Sequence, residues 1–383
     1  MFLDKLLKNN YELVDYVLKA HKNNVILPDS YVIDVDTFVD NARKMLSVAK
    51  EENIDLYFML KQVGRNPYLA QKLIEIGYRG AVVVDYKEAQ IMMANNIHIC
   101  NIGNLVQVPQ ALLEKFVKYN CDYFTCFSLD IIKKINLYAE KENKVQKIML
   151  KVIDKGDTVY SGQTSGFSLS ELPQLMSEID KLSNVKVDGL TSFPCFMYNC
   201  ESLQIESTNN LETILRAKEI LNERGYEINN INGPSATCIN TIKIMKNYGI
   251  NSAEPGHGLT GTTPLHAMNE LAEQQCVLYL SEISHNYLDN AYCYGGGFYR
   301  RSHVSNAIIG YKKTPAKIIA PNLDSIDYYF QIDSNYDVGL PVIMSFRYQM
   351  FVTRSDVCLV EGLKNSNPHI VGIYNGLGDK KGE

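Results

Sequence analysis

The run Asp55-Leu56-Tyr57-Phe58-Met59-Leu60-Lys61 sets unbroken apolar and aromatic residues against one lysine, followed by Gln62-Val63-Gly64-Arg65-Asn66-Pro67. A continuous apolar run between turn signals reads as a strand buried on both faces, as in a parallel sheet. Lys61 then stands at the carboxyl end of an interior strand, where βα-barrels place their chemistry. An ammonium there is poorly solvated and becomes a usable nucleophile toward an aldehyde. The alternative is a lysine that snorkels out of the strand end. A second stretch, Gly233-Pro234-Ser235-Ala236-Thr237, runs from a strand into an apparent helix at Cys238. Such a turn offers backbone N–H groups to a phosphate, or is a plain helix cap. In a third, Glu254 ends a strand and Pro255-Gly256 forces a turn into His257-Gly258-Leu259-Thr260-Gly261-Thr262-Thr263. Gly258 and Gly261 permit close backbone approach there, and the threonines supply hydroxyl donors.

A reactive lysine, two phosphate-friendly loops and a carboxylate form one chemical set. It suggests pyridoxal 5′-phosphate, with Lys61 as Schiff-base partner, the phosphate at residues 233–237 and 258–262, and Glu254 at the pyridine nitrogen. A carboxylate in that place keeps the ring protonated, so that it withdraws electrons from a substrate carbanion. The expected cofactor-binding residues are Lys61, Gly233, Ser235, Ala236, Thr237, Glu254, Gly256, His257, Gly258 and Thr260. Arg65, close to Lys61, either clamps a substrate carboxylate in two-pronged fashion or faces solvent.

The elements that must position these residues follow from periodicity. Strands are expected at 56–60, 80–84, 97–102, 122–126, 147–153, 185–193, 227–232 and 250–254. Helical patterns lie between them near 68–76, 86–95, 109–119, 128–142, 169–182, 204–224 and 236–248. Eight βα units imply a parallel sheet closed into a (β/α)8 TIM barrel. Near residue 275 helical periodicity fades into short β-like runs, among them Val277–Ile283, Asn306–Tyr311, Gln349–Thr353 and Val357–Val360, which imply an all-β C-terminal domain. Tyr31–Val35 also reads as a strand. The expected division is an N-terminal helix and linker over 1–30, the barrel over 31–275 and the β-domain over 276–383. Phe2, Leu3, Leu6, Leu7, Leu13, Val14, Val17 and Leu18 fall on one helical face, so the start is expected to be a docked amphipathic helix rather than a targeting segment.

A net charge of −5, with no basic patch interleaved with aromatics, argues against nucleic acid and anionic membrane as partners. No apolar run reaches membrane-spanning length. Nine cysteines without a CxxC pair or a zinc-type spacing read as reduced thiols, so no metal is expected and the protein is placed in the cytoplasm.

Val32-Ile33-Asp34-Val35-Asp36, the strand into Lys61, Leu150-Lys151-Val152-Ile153-Asp154, Asp188-Gly189-Leu190-Thr191-Ser192, Gly233-Pro-Ser-Ala-Thr and Glu254-Pro-Gly-His-Gly occur in that order. This ordered set resembles the fold-type III pyridoxal phosphate enzymes, and within them the YhfX-like, alanine racemase-related proteins. The resemblance implies an alanine racemase-type N-terminal barrel, a C-terminal β-domain and a head-to-tail homodimer with active sites at the interface. It makes Lys61 the cofactor lysine and Gly233, Ser235 and Thr237 the phosphate loop. Glu254-Pro-Gly resembles the decarboxylase Glu-Pro-Gly-Arg segment, with His257 in place of the arginine. Ser192-Phe193 stands where many members place a histidine against the cofactor ring.

Tyr294-Gly295, within Tyr292-Cys293-Tyr294-Gly295-Gly296-Gly297-Phe298-Tyr299-Arg300-Arg301, resembles the pair around alanine racemase's second base, with Tyr299 as the other candidate. Asp356 and Cys358 fall where decarboxylases bring an Asp and a Cys across the interface. The implied activity is amino-acid racemisation between two proton carriers. A decarboxylase or D-amino-acid aldolase, or a non-catalytic cofactor carrier, are the alternatives.

Overall fold

The computed structural model describes residues 2–322 and 324–382. The chain divides into two compact units, one of Met45–Leu60 with Ala70–Gly256, the other of Met1–Lys44, Lys61–Leu69 and His257–Glu383.

In the first unit eight parallel strands close on themselves: Asp55–Phe58, Gly80–Val83, Ile99–Ile102, Tyr123–Cys126, Gln146–Ile153, Val185–Thr191, Asn230–Asn232 and Ser252–Ala253. The eighth pairs with the first through Ser252↔Asp55 and Ala253↔Leu56, which completes the barrel. Short apolar runs form these strands because helices cover their outer face, so both faces are dry. The interior is partly polar. Asn230 Nδ2 donates to the Tyr57 hydroxyl at 3.0 Å, Ser252 Oγ to Asn230 Oδ1 at 2.6 Å, and Thr191 Oγ1 to Asn232 Oδ1 at 3.1 Å. Each of these buried polar atoms finds a partner on another strand, across the barrel interior for Asn230 and Tyr57, which makes a polar barrel core tolerable.

The helix expected over 204–224 begins late. Gln204–Ser207 is a strand paired with Phe196–Asn199, and the helix occupies Asn209–Asn222. Asn199 Oδ1 accepts from the backbone N–H of Glu201 at 2.8 Å, a local turn that competes with helix formation.

The second unit is built on a nine-stranded sheet, antiparallel except where Ser30–Asp34 runs parallel to Asp356–Glu361. Ser30–Asp34 thus lies between Val277–Tyr287 and Asp356–Glu361, although the boundary read from sequence at residue 31 assigns it to the barrel. All five of its residues are buried, so it carries no alternation to reveal which sheet it joins. Gln349–Thr353 is not a strand. Met350–Val352 forms a 3-10 turn closed by Val352 N→Gln349 O and Thr353 N→Met350 O.

The N-terminal segment forms two helices, Phe2–Asn9 and Tyr11–Lys22, broken at Asn10. Asn10 Nδ2 donates to Asp34 Oδ2 at 2.9 Å and to the Gln275 carbonyl at 3.2 Å. Leu3, Leu6, Leu13, Val14, Val17 and Leu18 pack onto Val32, Leu278, Leu280, Ile343, Cys358 and Val360. Burial stabilises by roughly 1.5–3 kcal/mol per such side chain, enough to hold short helices that would be marginal alone. The opposite sheet face carries Tyr31, Tyr279, Phe330, Phe346 and Tyr348 as one aromatic cluster, with Tyr31 and Tyr279 5.0 Å apart. Among the described residues no helix is long and apolar enough to cross a membrane.

Candidate functional site

At the carboxyl ends of the barrel strands, Gly233 follows the seventh strand and Glu254 the eighth. A Cβ at Gly233 would lie 2.6 Å from Ile250 Cδ1 and 3.0 Å from its Cγ2, so any larger residue would have to push the Ile250 side chain aside. Ser235 and Ala236 follow with φ of 98° and 51°. Positive φ at two consecutive residues marks a tight turn, and turns are among the backbone conformations whose successive N–H groups make anion-binding concavities. The Thr237 hydroxyl is buried and has no hydrogen-bond partner, whereas the Ser235 hydroxyl donates to the Phe196 carbonyl. An unpaired buried hydroxyl beside such a turn is a donor awaiting an anion.

Glu254 is buried. Asn104 Nδ2, in the loop after the third strand, reaches its two oxygens at 3.3 and 3.2 Å. Met59 N donates to the Pro255 carbonyl at 2.9 Å, which locks the exits of the first and eighth strands together. Asn104 carried no signal in the sequence, and Lys151 on the fifth strand stood out only as part of the Leu150–Asp154 stretch, without a role of its own. Lys151 is 4% exposed, donates to Ser165 Oγ at 2.7 Å and lies over the Phe127 ring. Burial pulls its ammonium down to about 8, against the opposing field of Glu254. Ser192 Oγ accepts from Asn210 Nδ2 at 3.1 Å, and Phe193 is half-buried with its ring 5.7 Å from Tyr160. The orphaned Thr237 hydroxyl, the Ser235-Ala236 turn and the held Glu254 carboxylate fit a group with a phosphate at one end and a basic ring nitrogen at the other.

In the second unit Lys61 opens the 3-10 turn Lys61–Val63, directly after the chain leaves the first barrel strand. Gly64 follows at φ 70°, where a Cβ would press on Val357 Cγ2 at 3.2 Å. Arg65 takes φ 54°, unusual for a residue with a side chain. It does not face solvent: it is 3% exposed, with its guanidinium 5.1 Å from the Phe351 ring centroid.

His257 Nε2 accepts from Arg347 Nε at 3.4 Å, and Nδ1 sits 3.1 Å from Thr262 Oγ1. Burial first, then the positive fields of Arg347, Lys61, His266 and Arg301, hold the imidazole well below its ordinary value. His257 is therefore neutral at physiological pH and cannot supply the charge of the arginine it replaces. The loop expected to offer open donors is also largely knit to itself. Thr260 N and Thr262 N both donate to the His257 carbonyl, Gly261 N to the Gly258 carbonyl, and the Thr260 and Thr262 hydroxyls are 2.8 Å apart. Gly256 and Gly258 are buried in this turn.

The alanine racemase N-terminal domain family matches residues 33–264, and the YhfX-like C-terminal domain family matches residues 278–370. The uncharacterized protein YhfX of Escherichia coli (strain K12) is 39% identical over 387 residues, spanning all of both chains. The chain belongs to the alanine racemase-like, fold-type III family, in its YhfX-like subgroup. Members of this family are pyridoxal phosphate-dependent enzymes that include racemases, aldolases and dehydratases. Solved structures of similar fold include D-threonine aldolase from Filomicrobium marinum (TM-score 0.68, 14% identity, covering 93% of this chain and 95% of that one). Alanine racemase of Clostridium difficile 630 in complex with cycloserine superposes with a TM-score of 0.64 at 19% identity, over 91% and 98%. D-threo-3-hydroxyaspartate dehydratase from Delftia sp. HT23 gives 0.64 at 13%, over 89% and 95%.

In this YhfX-like chain the β-domain residues singled out from sequence have different surroundings. Tyr294 ends the strand Asn290–Tyr294, half-buried, its ring 6.1 Å from Tyr329 and its carbonyl accepting from Ser281 Oγ at 2.7 Å. Beyond it Tyr31 and Tyr279 hold Gly297, and a Cβ there would run into the Tyr279 ring. Tyr299 is half-buried in the following turn, its carbonyl accepting from Ser302 N. Cys358 is not available to a neighbouring subunit. It lies in the core under the N-terminal helices, where burial pushes its thiol up to about 12. Asp356, two residues earlier on the same strand face, is ion-paired with Lys381. Side chains alternate along a strand, so Val357 is the one that turns toward the Gly64 turn, where its Cγ2 packs.

Proposed function

We propose that this protein is a pyridoxal phosphate-dependent amino-acid racemase. The observation that supports such a cofactor is the held carboxylate, Glu254, buried and reached at both oxygens by Asn104, and the choice of racemisation rests on the resemblance of Tyr294-Gly295 to the pair around alanine racemase's second base. Lys61 is the residue that would carry the cofactor, and Gly233, Ser235, Ala236 and Thr237 would receive its phosphate, with Gly256, His257 and Gly258 as further candidates. When bound, the cofactor supplies an electron sink that makes the Cα–H bond of an amino acid acidic. Glu254 is the carboxylate that would hold the ring nitrogen protonated and so keep the sink at full strength. The Lys61 amine takes the Cα proton on one face, and a tyrosine hydroxyl returns it on the other. Tyr294 is assigned that second role and Tyr299 the neighbouring position, both contributed by a second copy of the chain in a cytoplasmic homodimer. Arg65 receives the substrate carboxylate.

The test is exchange. In D2O the enzyme should incorporate deuterium at Cα of both enantiomers of its substrate, interconvert them and release no CO2 or aldehyde. Lys61→Ala should abolish exchange and also the covalent fixation of cofactor by borohydride, with the fold intact by circular dichroism. Release of CO2, or cleavage to glycine and an aldehyde, would replace racemisation by a lyase reaction.

A further inference from the structure

The amino-terminal end of the barrel, opposite the strand ends that carry Gly233 and Glu254, holds a cluster that the cofactor chemistry does not use. His98 immediately precedes the third strand, Cys100 lies within it, and Asp122 immediately precedes the fourth. His98 Nε2 is 3.0 Å from Asp122 Oδ1, and His98, Cys100 and Asp122 each offer one ligand atom, all within 4.8 Å of one another. We propose that His98, Cys100 and Asp122 bind one zinc ion that fastens the floor of the barrel.

The donor set is imidazole nitrogen, thiolate and carboxylate oxygen, the mixture zinc takes, and three protein ligands leave a fourth position for water. With zinc bonds of about 2.0–2.3 Å, tetrahedral ligand atoms stand roughly 3.3–3.8 Å apart. The His98–Asp122 distance of 3.0 Å lies just under that range, and all three ligand atoms lie within 4.8 Å of one another. Binding forms a Zn–S bond and releases the thiol proton to water, and the ion takes the place of the His98–Asp122 contact.

Two neighbours fit this assignment. Arg79 Nε donates to the other Asp122 oxygen, Oδ2, at 3.0 Å, the outer hydrogen bond by which a ligating carboxylate is usually oriented. On the second strand, a Cβ at Gly80 would meet the His98 carbonyl at 2.6 Å, Cys100 Sγ at 2.9 Å and His98 Cδ2 at 3.1 Å, so glycine leaves the room that two of the ligands occupy. Solvent reaches two of the ligands directly, since the His98 side chain is 40% and that of Asp122 20% exposed.

The test takes the purified full-length protein through chelator and then dialysis against zinc, with Cys200→Ser as background to remove the exposed thiol. Elemental analysis should find one zinc per chain. X-ray absorption at the zinc edge should show one sulfur at about 2.3 Å among lighter ligands. Zinc should raise the thermal midpoint, and His98→Ala, at a half-exposed position that leaves the fold intact, should weaken binding at least tenfold and remove that rise. Cys100→Ser should erase the sulfur signal. Zinc without a sulfur neighbour, well under one ion per chain, or an affinity unmoved by His98→Ala would overturn the proposal.

Discussion

Lys151 offers a sharp physical test because its burial works against the fold. Its ammonium falls from 10.5 to about 8, chiefly through desolvation. At about 1.4 kcal/mol per pH unit, the charged form costs the folded barrel roughly 3 kcal/mol at neutral pH. Lys151→Met keeps the volume and removes the charge, but also forfeits the bond to Ser165, worth about 1 kcal/mol. The net expectation is a stabilisation of about 2 kcal/mol at pH 7, or roughly 4–8 °C in thermal midpoint for a unit of this size. The sign with pH follows from linkage. The native group loses its proton near pH 8 and the unfolded one near 10.5, so the wild-type penalty is complete below pH 8 and fades as pH rises toward 10.5. The variant's advantage should shrink along the same path. Scanning calorimetry of cofactor-stripped wild type and Lys151→Met at pH 7, 8.5 and 10 measures it. A variant less stable at pH 7, or an advantage that does not change with pH, would refute the argument. A lysine retained at such cost, in the field of Glu254, is expected to serve activity, so the stabilised variant should turn over more slowly.

Two further outcomes follow from burial. Thr237→Val replaces an unpartnered buried hydroxyl by a methyl group of the same shape, so the cofactor-free protein should hold its thermal midpoint or gain slightly. Cofactor titration should nonetheless show affinity reduced about tenfold, the worth of one hydrogen bond near 1.4 kcal/mol; unchanged affinity would remove Thr237 from the phosphate loop. Cys358→Ser puts a hydroxyl into the apolar layer under the N-terminal helices and should destabilise by about 1–3 kcal/mol while leaving the KM of the folded enzyme unchanged. A raised KM would return Cys358 to the substrate.

By itself the sequence determined the order and kind of elements in the barrel. Its strands are short apolar runs and its helices are amphipathic, and both periodicities are local properties that survive without coordinates. The end of each strand is equally local, which is why Lys61, Gly233 and Glu254 could be placed after the first, seventh and eighth strands from Gly and Pro punctuation alone. Alternation also served for most of the β-domain, but not for Gln349–Thr353, where i to i+3 bonding mimics a short strand in the residue pattern.

Only the tertiary structure decided which side chains share a space. Asn104 and Glu254 are 150 residues apart in the chain, and they meet because the third and eighth strands open at the same end of a closed barrel. The direction of Cys358 depends on register: one residue of slip would exchange it with Val357, and the pattern of a strand buried on both faces does not reveal that choice. The same holds for Ser30–Asp34, whose five buried residues suit either sheet, and which was drawn to the second by pairing on both edges. His98, Cys100 and Asp122 lack any metal-binding spacing in the chain and converge only across adjacent strands. Local sequence sets backbone conformation, whereas closure of the barrel and strand register set proximity, and it is proximity that gives a lysine, a carboxylate or a thiol its chemistry.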